Sequence, residues 1–188
     1  SCTALRMEMA WLRHADPADL QGRNAAAERA DLAAQSIYQL VRGLLGRLRP
    51  QHLDTLGLVP ALQELCDAWS RRSGLACTFR TEGLETEPDA AAAIAVYRVA
   101  QEGLTNVMRH AHARRVGVRL WRAEDGTLHL SVEDDGIGMA ANEPRHGFGL
   151  LGARERAASL GGALSVDSGP GRGVALRLVL PAVCREAA

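Results

Sequence analysis

Residues 128–132, Leu-His-Leu-Ser-Val, alternate apolar and polar side chains and run into Glu133-Asp134-Asp135-Gly136-Ile137-Gly138. Such alternation sets one strand face against a core and the other toward water. A strand that ends in acid and then frees its backbone at two glycines builds a pocket wall rather than a core. The carboxylate accepts hydrogen bonds from a ligand, and the glycines let backbone approach it closely. Alone, the same pattern also fits an acid-glycine turn that merely closes a hairpin. The segments before and after it carry the decision.

Upstream, Pro88 opens a helix expected to run to about Ala111. Leu104, Val107, Met108 and Ala111 give it one apolar face, while Glu102, Asn106 and His110, at i, i+4 and i+8, share another, with Arg109 adjacent. A solvated stripe is the competing explanation, but exposed helices are usually lined with a Glu/Lys mixture rather than acid, amide and imidazole. Downstream, His146-Gly147-Phe148-Gly149-Leu150-Leu151-Gly152 leads into a helix expected from about Leu150 to Leu160. Gly-x-Gly at a helix start presents free amides and the positive end of the dipole, which suits an anion. A polar loop, 138–147, precedes it and is expected to be mobile. No β-α-β unit surrounds it, so the dinucleotide-binding pattern is not met.

All 22 basic residues are arginine, because the chain contains no lysine. This excludes a P-loop lysine, a Schiff-base lysine and the strand lysine of eukaryotic-type protein kinases. Phosphate chemistry here must rely on backbone amides, arginine, asparagine, histidine or a metal. The net charge of zero points to no nucleic-acid or membrane partner. No apolar run approaches the roughly 20 residues of a membrane helix. The cysteines, Cys2, Cys66, Cys77 and Cys184, are scattered without a C-x-x-C pair, as suits reduced thiols in a cytosol.

In the first 48 residues, Leu5, Met9 and Leu12 mark one helix, ending near His14, and Ala30, Ala33, Ile37, Leu40 and Leu44 mark a second. Pro17 suits the start of the second, with Asp16 as its cap. Each helix has one apolar stripe, so the pair is expected to close a dimeric four-helix bundle, unless it packs on its own globular domain. Arg49-Pro50 breaks the helix and sets the expected boundary between domains 1–49 and 50–184. Beyond it come an amphipathic helix (Leu58, Leu62, Leu65, Cys66, Trp69) stopped by Gly74, and a strand at 75–81. A hairpin at 115–122 and 127–133 turns at Glu124-Asp125-Gly126, and two last strands, 163–168 and 174–180, follow the helix ended by Gly161-Gly162. The mixture specifies an α+β class: a helical hairpin followed by a two-layer α/β sandwich.

Three motifs now stand in one order between Gln101 and Gly152, and together they resemble the GHKL (Bergerat-fold) ATPases. Gln101-Glu102-Gly103-Leu104-Thr105-Asn106-Val107 is similar to their N-box, Asp134-x-Gly136-x-Gly138 to the first glycine box, and Gly147-x-Gly149-Leu150-x-Gly152 to the second. Leu48-Arg49-Pro50, Leu56-Gly57-Leu58 and Asn106-Val-Met-Arg-His-Ala resemble one branch, the bacterial two-component sensor histidine kinases of the NarX/DesK-like type. The resemblance implies ATP and Mg²⁺ as cofactors. It implies that Asp134 accepts the adenine amino group, that Asn106 coordinates Mg²⁺ and that Glu102 orients or polarises the attacking nucleophile. Gly136 and Gly138 would let backbone pass the nucleotide, Gly147, Gly149 and Leu150 would start the lid helix near the phosphates, and Arg109 and His110 would touch phosphate oxygens. It further implies a homodimer through the N-terminal helices, a response regulator with a helix-turn-helix output as partner, and a cytoplasmic location for this part of a protein that could be anchored in the inner membrane.

Two positions depart from the pattern. The family's acceptor His-Asp/Glu pair is absent; by alignment on Thr3-Ala4-Leu5-Arg6 it would lie just before Ser1, and the chain, which begins without Met, reads as a fragment. His14, beside Pro17, reads as a surface residue. Where the family often has Thr after the last Gly-x-Gly, this chain has Val174, which removes one polar contact from the adenine site. Two other readings compete: an anti-sigma serine kinase, which would not be expected to carry the helical pair, and a nucleotide-binding dimerisation module without kinase activity. A mechanical GHKL ATPase would need a lysine from a following domain, and none is expected in the residues after Pro181, since the chain carries no lysine.

Overall fold

The computed structural model describes residues 2–16, 19–47, 51–139 and 148–182. They fall into two compact units, Ser1–Leu48 and Arg49–Ala188. The first holds α1 (Cys2–His14) and α2 (Leu20–Arg47), packed against each other. Ala26 and Ala30 are buried between them, small side chains that let two helices approach, and Arg29 grips both carboxylate oxygens of Glu8 at 2.9 Å. The cap of α2 is not Asp16: Asp19 accepts the Gly22 amide at 2.9 Å, because the helix begins three residues later than the proline suggests. Pro17, and the proposed break at Arg49-Pro50, lie outside the described residues. Met7, Met9, Trp11 and Leu32 remain exposed on this unit.

The second unit begins with α3 (Gln51–Leu56) and α4 (Leu58–Ser73). Leu58, Leu62, Cys66 and Trp69 recur at helical spacing and are all buried, and Gly74 ends the helix in the left-handed conformation with its N–H on the Ser70 carbonyl. Next come β1 (Ala76–Glu82), α5 (Ala90–Asn106) capped by the Asp89 carboxylate, β2 (Arg115–Arg122), β3 (Leu128–Asp134), α6 (Phe148–Ser159), β4 (Ala163–Ser168) and β5 (Val174–Leu180).

The strands form one sheet in the order β1-β2-β3-β5-β4. β2 and β3 are the hairpin read from Asp125-Gly126, but β1 pairs with β2 in parallel, crossing over through α5. Val116, Val118 and Leu120 on β2, Leu130 and Val132 on β3, and Leu176 and Leu178 on β5 are buried on one face, against α4, α5 and α6. The other face carries Arg119, Trp121, His129, Glu133 and Arg177. The unit is therefore the two-layer α/β sandwich expected, with its helices on one side of a mixed sheet. No helix among the described residues is long and apolar enough to cross a membrane.

Candidate functional site

The α5 helix does not continue as an α-helix to Ala111. It changes at Val107 into a single π turn, Val107–Ala111. The wider turn leaves Met108 46% exposed, although it belongs to the apolar face drawn from α spacing, while Leu104, Val107 and Ala111 stay buried. Single π turns within helices recur at functional sites. This one ends in His112, whose φ of 48° lies in the left-handed region.

Beside this turn lies a cavity of about 800 Å³, a size that suits a drug-sized ligand. The helix end contributes Asn106, Arg109, His110 and His112. The sheet supplies an apolar floor of Val132, Val166 and Leu176, joined by Leu150 from α6. Asp134, Ile137, Gly138 and Met139, from the end of β3 and the loop after it, complete the lining. Of the residues singled out in the sequence, Asn106, Arg109, His110, Asp134, Gly138 and Leu150 line this cavity. Glu102, one turn before Asn106, is half-buried and outside the lining, as is the buried Gly136. Gly149 falls in α6, and Gly147 lies outside the described residues, as does most of the loop 138–147.

The two acids at the end of β3 have separate jobs. Asp134 lies at the cavity, where burial pushes its carboxyl above the ordinary value, offset in part by the amides of Gly136, at 2.8 Å, and Val174. Asp135 turns away and accepts the Arg114 and Arg115 amides at 2.8 and 3.0 Å and the Arg115 guanidinium at 2.9 Å. Those donors lower its pKa to about 2.

A lacing of backbone holds the loop after Asp134. The Ile137 amide donates to the Ala111 carbonyl at 2.8 Å, Gly171 to the Ile137 carbonyl at 2.7 Å, and Gly173 to the Gly136 carbonyl at 3.0 Å. Met139 donates to Ser168 Oγ at 2.9 Å, and that hydroxyl donates to the Gly173 carbonyl at 2.8 Å. Gly138 and Gly173 both have φ near 67°, and a Cβ on either would collide with a facing carbonyl, of Gly169 and of Asp134 respectively. Pro170-Gly171-Arg172-Gly173 is therefore part of the site and not only a turn between strands. Ser168 and His112 carried no motif in the sequence, and the one hint to the turn was its paired glycines.

Among the described residues, no three His, Cys, Asp or Glu side chains gather to hold a metal. The lining fits Mg²⁺ only in the way that ion is commonly bound beside phosphates, by one or two protein oxygens with the rest from phosphate and water. Asn106 offers such an oxygen. A half-buried carboxyl among apolar walls, with amide, guanidinium and imidazole along one side, fits a flat polar base at one end and an anion at the other.

Residues 91–183 match the model of the histidine kinase-, DNA gyrase B- and HSP90-like ATPases. The chain is 36% identical over 162 residues to the signal transduction histidine-protein kinase/phosphatase UhpB of Salmonella typhimurium, covering 86% of this chain and 32% of that protein. It is 37% identical over 177 residues to the sensor histidine kinase MctS of Rhizobium johnstonii, covering 87% and 38%. The chain thus spans about a third of the length of these relatives. In fold it is similar to the histidine kinase domain of the Erythrobacter litoralis blue-light activated kinase, with a TM-score of 0.59 and 21% identity over 95% of this chain and 93% of that one.

Proposed function

The chain belongs to the histidine kinase-, DNA gyrase B- and HSP90-like ATPase family, and from that premise we propose that it is the ATP-binding catalytic portion of a sensor histidine kinase. It would take the γ-phosphoryl group of ATP to a histidine, for relay to a response-regulator aspartate. One observation carries the reading: the carboxyl of Asp134 and the amide of Asn106 line the same cavity, within the residues that match the ATPase family.

Each residue then has a task. Asp134 accepts the exocyclic amino group of adenine, its position set by the Gly136 amide. Gly138 brings backbone past the nucleotide, and Leu150 packs at the base of the lid helix. Asn106 would hold Mg²⁺, which supplies charge neutralisation between phosphate oxygens. Arg109 and His110, exposed at the cavity edge, would bind phosphate oxygens. Glu102 would orient the attacking imidazole. Gly147 and Gly149 would give the lid its approach to the phosphates. Residues 1–49 would serve as the dimerising hairpin and 50–184 as the catalytic domain. The exposed Met7, Met9, Trp11 and Leu32 are the surface a second copy would cover. The chain's site of action would be cytoplasmic and its partner a response regulator with a helix-turn-helix output, both expected from the resemblance to the NarX/DesK-like branch.

Titration calorimetry of the chain with Mg-ATP tests the site. Asp134→Asn, which turns an acceptor toward a donor, should weaken binding at least tenfold; unchanged affinity would remove the assignment. Extending the chain upstream of Ser1 tests the reaction, since an extended protein that forms no acid-labile phosphohistidine is not this kinase.

A further inference from the structure

His112 is the one non-glycine residue with positive φ among the described residues. A left-handed backbone disfavours any side chain, and its cost is retained where the surroundings over-determine it, often at binding sites. Here both flanks are pinned to one loop. The Ala111 carbonyl accepts the Ile137 amide at 2.8 Å, and the Arg114 amide donates to Asp135 at 2.8 Å. Ala113 between them is buried, whereas His112 is exposed and lines the cavity. The kink therefore turns the chain so that 113 goes into the core and 112 stays at the opening.

The same pins fix which end of the cavity His112 serves. Ile137 follows the Asp134–Gly136 turn, so Ala111 is held at the Asp134 end. Asn106 lies five residues before Ala111, back along the helix axis by somewhat less than the roughly 7.5 Å that five α-helical residues span, because the intervening turn is π. An imidazole at the Asp134 end is placed for a base or ribose rather than for phosphates. It offers a flat ring for stacking, or one nitrogen donor and one acceptor.

We propose that His112 is a nucleoside-contacting residue, binding the base or ribose of the nucleotide held by Asp134. This rests on the ATP-site reading above. Glycine is the decisive substitution, because it removes the imidazole while relieving the backbone. His112→Gly should keep or raise Tm, yet raise Kd for Mg-ATP, Mg-ADP and adenosine alike by about three- to tenfold. Displacement of bound Mg-ATP by tripolyphosphate reports the phosphate end, and the tripolyphosphate affinity should not change. His112→Asn, which tolerates the same backbone, should show the same pattern. Unchanged nucleotide affinity in His112→Gly overturns the proposal, as does a loss seen only with phosphate-bearing ligands or one accompanied by lowered Tm in both variants. If the wild-type chain binds no Mg-ATP, the ATP-site reading falls as well; if it binds and His112→Gly binds equally, only the His112 assignment falls.

Discussion

The indole Nε1 of Trp69 donates to the carbonyl oxygen of Leu104 at 2.8 Å, in a buried contact that ties α4 to α5 two residues before Asn106. Leu104 lies three residues before the π turn begins at Val107, so this bond anchors the end of α5 from which Asn106, Arg109 and His110 reach the cavity. Trp69→Phe keeps much of the packing and removes the N–H. It should cost about 1–2 kcal/mol in urea unfolding. Mg-ATP affinity should also fall, although Trp69 touches no ligand; a stability loss without any change in affinity would show that the π turn holds its own shape.

Gly138 offers a test of the laced loop. Alanine there meets both the φ of 68° and the Gly169 carbonyl, so Gly138→Ala must displace either the loop or the 169–173 turn. We expect a loss of about 1–3 kcal/mol, read as a lowered Tm, and a nucleotide affinity reduced further than the stability alone explains. Gly171 also has positive φ, but a Cβ there would meet nothing within 4 Å, so Gly171→Ala should show the conformational cost alone and leave binding near wild type.

Asp135 predicts a pH dependence with a definite sign. Its pKa is about 2 in the folded chain against 3.8 as the ordinary value, so between those limits the unfolded chain binds more protons. Stability therefore rises with pH across that window and is lost as pH falls through it. Asp134 is shifted the other way by burial, so its contribution falls as pH climbs above 3.8. In thermal melts from pH 2 to 5, Asp135→Asn should flatten the rise of Tm seen in the wild type, and Asp134→Asn should steepen its upper part. Equal slopes in wild type and Asp135→Asn would remove Asp135 as the source.

Much of this could be read from spacing. The Leu128–Val132 alternation, the Asp125-Gly126 turn and the Leu58–Trp69 stripe each declare a local element, because helix and strand periods differ and Gly permits what other residues resist. Asn106 and Asp134 could be paired across 28 residues of chain only through the resemblance, since no local rule joins a helix face to a strand end. Three features were not legible. The π turn has no period of its own within five residues, so α spacing places Met108 on the buried face, whereas it is exposed. The parallel β1–β2 pairing is set by the α5 crossover, a non-local choice. His112 looked like any polar residue beyond a helix, since its role depends on bonds made by its neighbours to residues 135–137.

The last prediction concerns charge. With no lysine in the chain, Arg109 is the only cationic side chain apart from histidine that lines the cavity among the described residues. It is exposed, so its guanidinium is free to meet a phosphate, and charge-assisted bonds of this kind are about twice as strong as neutral ones. Arg109→Ala should therefore raise Kd for Mg-ATP by about tenfold or more, the effect of roughly 1.5–3 kcal/mol, while leaving adenosine binding unchanged. The deficit should shrink as ionic strength rises, because an exposed pair is screened over about 10 Å at 0.1 M salt. Arg109→Lys should recover part of the affinity, keeping the charge but not the paired donors. If alanine weakened adenosine as much as ATP, Arg109 would be acting on the shape of the cavity and not on the phosphates, and anion binding would pass to His110 and the lid glycines.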